Sequence, residues 1–70
     1  MIMNYQFANS SMLSSASYDT ETKELTVTFH NGRSYTYEDF DKLSWELLTS
    51  AKSAGAYFNS IKKELKVKPQ

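Results

Sequence analysis

The sequence contains no cysteine. That removes disulfides, thiol nucleophiles and cysteine–metal sites together. Small secreted domains usually carry disulfides, so the absence favours a reducing, cytoplasmic setting. Histidine is nearly absent too: His30 stands alone at a turn, with no second histidine or cysteine to share a metal. It has no partnered nucleophile for triad chemistry either. The only glycines, Gly32 and Gly55, are too isolated for a phosphate-cradling loop. No apolar run approaches the roughly 20 residues that span a bilayer. The stretch Met1–Phe7 has neither the basic nor the apolar region of a signal peptide. These gaps argue against an enzyme, a metal site, a cofactor, a small-molecule substrate and a membrane partner.

What remains is one short domain. At 70 residues, a chain buries only about 60–65% of the surface it exposes when unfolded, so the core is small. Eight basic and eight acidic residues cancel, but unevenly. Residues 1–61 carry four basic and seven acidic side chains, whereas residues 62–70 carry Lys62, Lys63, Lys66 and Lys68 against Glu64. Such asymmetry suits a charged partner, and it equally suits lysines solvated at a helix C-terminus.

The first nine residues fit no clear period and read as a flexible arm. Ser10–Tyr18 is serine-rich, with Leu13, Ala16 and Tyr18 as apolar points. It reads as a weak strand that bends where the apolar spacing changes from three to two. A polar turn, residues 19–24, leads to the clearest strand, Leu25–Phe29, where apolar residues alternate with threonine. His30-Asn31-Gly32 is a hairpin signal, and Arg33–Tyr37 is the returning strand. A two-residue Asn31-Gly32 loop would put Tyr35 and Tyr37 opposite Leu25, Val27 and Phe29. A three-residue loop pairs Val27 with Tyr35 and Leu25 with Tyr37, so that all share one face. The hydrophobic pattern selects the three-residue loop, with Gly32 in the left-handed bulge position.

Asp41 reads as a helix N-cap, with Phe40 and Trp45 spaced for a hydrophobic staple. Leu43, Leu47, Leu48 and Ala51 then form that helix's apolar face. Ser53 caps a second helix running through about Leu65, with Phe58, Ile61 and Leu65 as its buried stripe. Pro69 lies beyond its end. The fold class expected is α+β: a three-stranded antiparallel meander followed by two helices packed on one sheet face. Residues 1–9 form the arm, 10–66 the domain and 67–70 a C-terminal tail.

Read together, Ser10-Ser11, Leu13, Ala16, Tyr18-Asp19, Thr22, Leu25, Val27, Phe29, Asn31-Gly32, Tyr35 and Tyr37 resemble the KTSC domain. That family takes its name from the C-terminal extension of some lysyl-tRNA synthetases. Its mark is a central Tyr-x-Tyr, here Tyr35-Thr36-Tyr37. The second half agrees through Leu47-Leu48, Ala51, Ser53, Gly55, Tyr57-Phe58-Asn59 and Ile61-Lys62. Ala16, Ser34 and Asp41 depart from the usual pattern. The resemblance implies a stand-alone bacterial or phage member of a family whose function is not established. RNA binding is suspected there from the synthetase context, and no catalytic residues carry over.

The residues admit competing roles. Tyr35 and Tyr37 could stack bases, as aromatics on RNA-binding sheets do. The register instead places them in the core, with Gly55, Tyr57 and Phe58 as the other motif positions. Glu38, Asp39 and Asp41 could offer oxygens to a cation, but helix capping accounts for them more simply. Gly55 permits either close approach of a ligand or close packing of the two helices, and packing is the reading adopted. At 100° per residue, Asn59, Lys62, Lys63 and Lys66 share an arc opposite the buried stripe, and Lys52 adds a nearby cation. Two functions stay open, an RNA-binding accessory module and an adaptor that docks on a host protein, with the domain expected to be a monomer.

Overall fold

The computed structural model describes residues 1–8 and 10–68. The elements in chain order are β1 (Ile2–Gln6), β2 (Leu13–Asp19), β3 (Glu24–Phe29), β4 (Ser34–Glu38), α1 (Lys42–Ser50), α2 (Ala54–Ile61), a 3-10 turn (Lys62–Glu64) and β5 (Lys66–Val67). The sheet has five strands in the order β1-β2-β3-β4-β5, with every neighbouring pair antiparallel. The expected α+β class and the two helices on the sheet hold. The three-stranded meander does not, because each end of the chain adds a strand.

The β3–β4 hairpin has the register that the apolar pattern selects: Val27 faces Tyr35 and Leu25 faces Tyr37. Gly32 sits at φ +88°, the left-handed conformation the three-residue loop needs. Its N–H donates to the Phe29 carbonyl at 3.0 Å, and the Phe29 N–H donates to the Arg33 carbonyl at 2.8 Å. In β2 the register slips between Leu13 and Ser15. The extra residue, Ser14, turns both Leu13 and Ala16 towards the core, as the three-then-two spacing implied.

The arm expected at residues 1–9 is instead largely β1, paired with β2 from Ile2 opposite Asp19 to Gln6 opposite Ser15. Met3, Tyr5 and Phe7 do alternate, but Ile2 beside them hides the period. Met3 packs against the core and Phe7 is buried in it. The second helix also ends earlier than expected. It stops at Ile61, tightens into one 3-10 turn and turns out at Leu65, whose backbone is extended at φ −87°, ψ 144°. Lys66 and Val67 then pair with Glu38 and Tyr37 of β4. The predicted tail, residues 67–70, therefore begins inside the sheet; Pro69 and Gln70 lie outside the described residues. A phenylalanine–isoleucine–leucine stripe fits helix and strand alike at its last member. The open edge of β4 decides between them, offering carbonyls such as that of Thr36, which accepts from the Lys68 N–H at 2.8 Å.

Both helix caps are as the sequence implies. Asp41 accepts from the Ser44 N–H at 2.7 Å, and Ser53 accepts from the Ala56 N–H at 3.2 Å. The face that α1 buries matches the expected one only at Leu48. Trp45 and Leu48 are buried, while Leu43 is 66% and Leu47 47% exposed. The helix is rotated by about 100° from the leucine-inward orientation. Trp45 stacks on Tyr18 with ring centroids 5.6 Å apart, and Phe40 meets the same ring edge-on at 6.0 Å. Seating one large aromatic against two others outweighs hiding two leucines on a short helix. A second aromatic group forms where Phe58 meets Tyr37 at 5.5 Å and Phe29 at 5.9 Å. Ile61 and Leu65 complete the stripe as partly buried neighbours of that core.

Candidate functional site

With both helices on one face, the other face of the sheet is open. It presents Asn4 and Gln6 from β1, Ser15 and Ser17 from β2, and Thr26 and Thr28 from β3, around a shallow concavity of about 500 Å³. Its hydroxyls are paired across strands: Thr26 with Thr36 at 3.0 Å and Thr28 with Ser34 at 2.9 Å. Of the lining residues Tyr5 alone carries a ring, whereas base stacking on a sheet uses two or three aromatics.

The motif tyrosines lie on the helix-covered face, but unequally. Tyr37 is 6% exposed, and burial pushes its phenol above the ordinary value, with Tyr35 adding to the effect. Tyr35 is 36% exposed and meets the edge of the Phe29 ring at 5.8 Å. The expectation that both are core is corrected for Tyr35. The register is right, yet the chain after α2 pairs with β4 at Glu38, Tyr37 and the Thr36 carbonyl, leaving Tyr35 near the open end of the hairpin. Phe58 is buried and Tyr57 half-buried against the core.

The basic arc is also rearranged. Lys66 lies on β5, off the helix, and its Nζ is 3.7 Å from Glu38 Oε2. Lys68 donates to Glu24 at 2.8 Å, and that hydrogen bond raises its pKa. The C-terminal excess of lysine thus partly serves to pair the acidic side chains of the sheet. Lys62 and Lys63 are exposed in the 3-10 turn. Of the acidic trio, Glu38 faces Lys66 and Asp41 caps α1, where the Ser44 N–H holds its carboxyl below the usual range. Asp39 occupies a left-handed turn position at φ +55°, a conformation aspartate tolerates. No group of three candidate metal ligands occurs among the described residues. No helix among them is long and apolar enough to cross a membrane.

Lys52 and Asn59, grouped from the sequence, do come together. Both line a cleft of about 610 Å³ between the chain around Gln6–Met12 and the start of α2. Ser10, Ser11, Ser53 and Gly55 share that lining. The Ser10 side chain accepts from the Leu13 N–H at 2.9 Å and the Met12 N–H at 3.3 Å. The His30 ring nitrogen Nε2 lies 2.8 Å from the Ser10 carbonyl, so the hairpin tip steadies one wall. The other wall begins at the N-terminus of α2, where the helix dipole favours negative charge and the Ser53 side chain takes the Ala56 N–H.

Gly55 faces Ser10 and Met12, not α1. A Cβ built there would stand 3.5 Å from Ser10 Oγ and 3.7 Å from Met12, both ordinary contacts. Close packing of the two helices therefore does not explain this glycine, and that expectation is corrected.

Comparison with known proteins agrees with the architecture. No curated protein matches the chain. The crystal structure of the KTSC domain protein YPO2434 from Yersinia pestis superposes with a TM-score of 0.88 at 22% identity, covering 100% of this chain and 99% of that one. At that identity the likeness speaks for the fold. The family model for the KTSC domain matches residues 9–64, most of the length and all of the Tyr-x-Tyr and Tyr57-Phe58-Asn59 positions. The chain belongs to the KTSC domain family.

Proposed function

We propose that this domain is a non-enzymatic binding module whose cleft at the start of α2 takes the phosphate backbone of single-stranded RNA. The observation that carries the reading is the convergence of Lys52 and Asn59 on one cleft beside the first turn of α2. Cationic and amide side chains with helix N-terminal N–H groups are the usual phosphate contacts, and they position a strand without reading its bases. Lys62 and Lys63 follow directly on α2 and extend the basic surface. A glycine that the fold itself does not require, Gly55, fits close approach of a ligand backbone. A cytoplasmic setting accords with the lack of cysteine.

Three lysines, Lys52, Lys62 and Lys63, neutralise at most about three phosphates, so the slope of log affinity against log salt is at most roughly −2. The test titrates the folded protein and its Lys52→Glu and Lys62→Glu/Lys63→Glu variants with single-stranded RNA at two salt concentrations. Weaker, less salt-dependent binding by the variants supports the reading. Equal binding, or none by the parent at low salt, overturns it.

The adaptor reading rests on a different surface. Leu43 and Leu47, one turn apart on α1, present apolar side chains to solvent. On that reading Leu43→Asp with Leu47→Asp abolishes a protein contact and leaves RNA titration unchanged.

A further inference from the structure

The two edges of the sheet differ in how they are protected. Natural edge strands are kept from pairing with other chains by shortness, charge, proline or bulges. β5 has two of these devices: it is two residues long, and Lys66 stands on it, with Lys68 just beyond its end. β1 has none. Its five residues, Ile2-Met3-Asn4-Tyr5-Gln6, include no charge and no proline, and they pair with β2 without a register break. Ile2 is 62% and Tyr5 40% exposed.

The hydrogen-bond phase of β1 identifies which groups are free. The Thr20 N–H donates to the Met1 carbonyl at 3.0 Å, and the Phe7 N–H donates to the Ser14 carbonyl at 3.0 Å. Antiparallel ladders alternate, so Met1, Met3, Tyr5 and Phe7 direct their backbone groups at β2. Ile2, Asn4 and Gln6 direct theirs outward.

We propose that β1 is a self-pairing edge, through which two copies of this chain join their sheets antiparallel about a two-fold axis at Asn4. Asn4 is the centre of the strand. In that arrangement Asn4 faces the second copy's Asn4, and Ile2 faces the second copy's Gln6. Every outward N–H of Ile2, Asn4 and Gln6 then meets a carbonyl, because these positions are the hydrogen-bonded pairs of the new ladder. Met3 faces the second copy's Tyr5 on the helix side, extending the Tyr5–Phe7 edge contact, 5.1 Å between ring centroids, into an apolar seam. No like charges meet across the axis, and a chain of zero net charge offers no general repulsion. A strand of an unrelated protein would match this edge only by chance, whereas a second copy matches by symmetry. The proposed dimer stands against the monomer expected from the sequence.

The test is sedimentation equilibrium of the whole chain with two variants. Asn4→Pro removes an outward N–H and leaves the ladder to β2 intact, as prolines on edge strands do. Asn4→Lys sets two cations face to face across the axis, from a side chain on the open polar face that folding does not bury. Both variants are checked for native circular dichroism. The parent dimerises, and each folded variant raises the dissociation constant at least about tenfold. If Asn4→Pro does not fold, Asn4→Lys decides alone. Amide exchange gives a second reading: Ile2, Asn4 and Gln6 gain protection as concentration rises, while Met3 and Tyr5 are protected throughout. A parent that stays monomeric up to about 1 mM, or a dimer that a folded Asn4→Lys leaves intact, overturns the proposal.

Discussion

The Tyr18 hydroxyl donates to the Phe40 carbonyl at 2.5 Å, tying the middle of the sheet to the turn that opens α1. Tyr18 is 1% exposed and carries Phe40 and Trp45 on its ring. One side chain therefore joins β2, the β4–α1 turn and α1 through both a polar and an apolar contact.

Tyr18→Phe keeps the ring and leaves the Phe40 carbonyl without that donor. The cost expected is about 1–3 kcal/mol, the penalty of an unsatisfied buried acceptor, read as a shift in urea midpoint. Burial, with Asp41 and Asp19 nearby, raises the Tyr18 pKa above the ordinary 10.0. A raised folded value means that the folded state holds its proton longer than the unfolded one. The contribution is intact below pH 10 and lost as pH climbs through the folded value. Tyr18→Phe reduces this alkaline loss without abolishing it, because burial raises Tyr37 in the same way. An unchanged alkaline profile would show that Tyr18 ionises as freely folded as unfolded.

Phe58→Ala removes a ring packed between Phe29 and Tyr37 and costs about 3–5 kcal/mol. That is a large share of the few kcal/mol that hold a domain of this size. Tyr35→Ala, at a half-open position with one edge contact, costs no more than about 1.5 kcal/mol. Paired thermal melts check the ranking; equal losses would place Tyr35 in the core after all.

Gly55→Ala separates folding from binding. The added methyl meets only ordinary contacts, and alanine is the better helix former, so stability rises by about 0.5–1 kcal/mol. RNA affinity falls, because the methyl stands in the cleft. A lower melting temperature would show that the fold needs the glycine; unchanged affinity would remove Gly55 from the site.

Asp41→Asn tests the acid limb. The Ser44 N–H, and then its hydroxyl, hold the Asp41 carboxyl below the ordinary 3.8. That contribution is present above the ordinary value and lost as pH falls through the folded one. Asparagine keeps an oxygen at the cap, so stability at pH 7 changes little while the loss towards pH 2 becomes shallower. Urea midpoints across that range give the answer. An unaltered acid profile would assign the loss to other carboxylates, such as Asp19, which the Glu21 N–H holds low.

Local chemistry made much of this molecule legible in its residues alone. The threonine alternation of β3, the three-residue hairpin loop, the bulge in β2 and the caps at Asp41 and Ser53 are all short-range effects. Backbone sterics, hydrogen-bonding side chains and the two-residue period act within a few positions, so a single chain displays them. The edge strands and the orientation of α1 were settled over longer distances. β1 exists because β2 offers it a partner, and β5 exists because β4 would otherwise end in unpaired carbonyls. Trp45 displaced Leu43 and Leu47 from the core because the ring of Tyr18, far off in sequence, forms its seat, with the nearby Phe40 on the same ring. The cleft that sets Lys52 and Asn59 against the chain near Ser10 follows from the same cause. Its walls come from segments some forty residues apart, and only the burial of Phe7, Leu13 and Phe58 in one core brings them together.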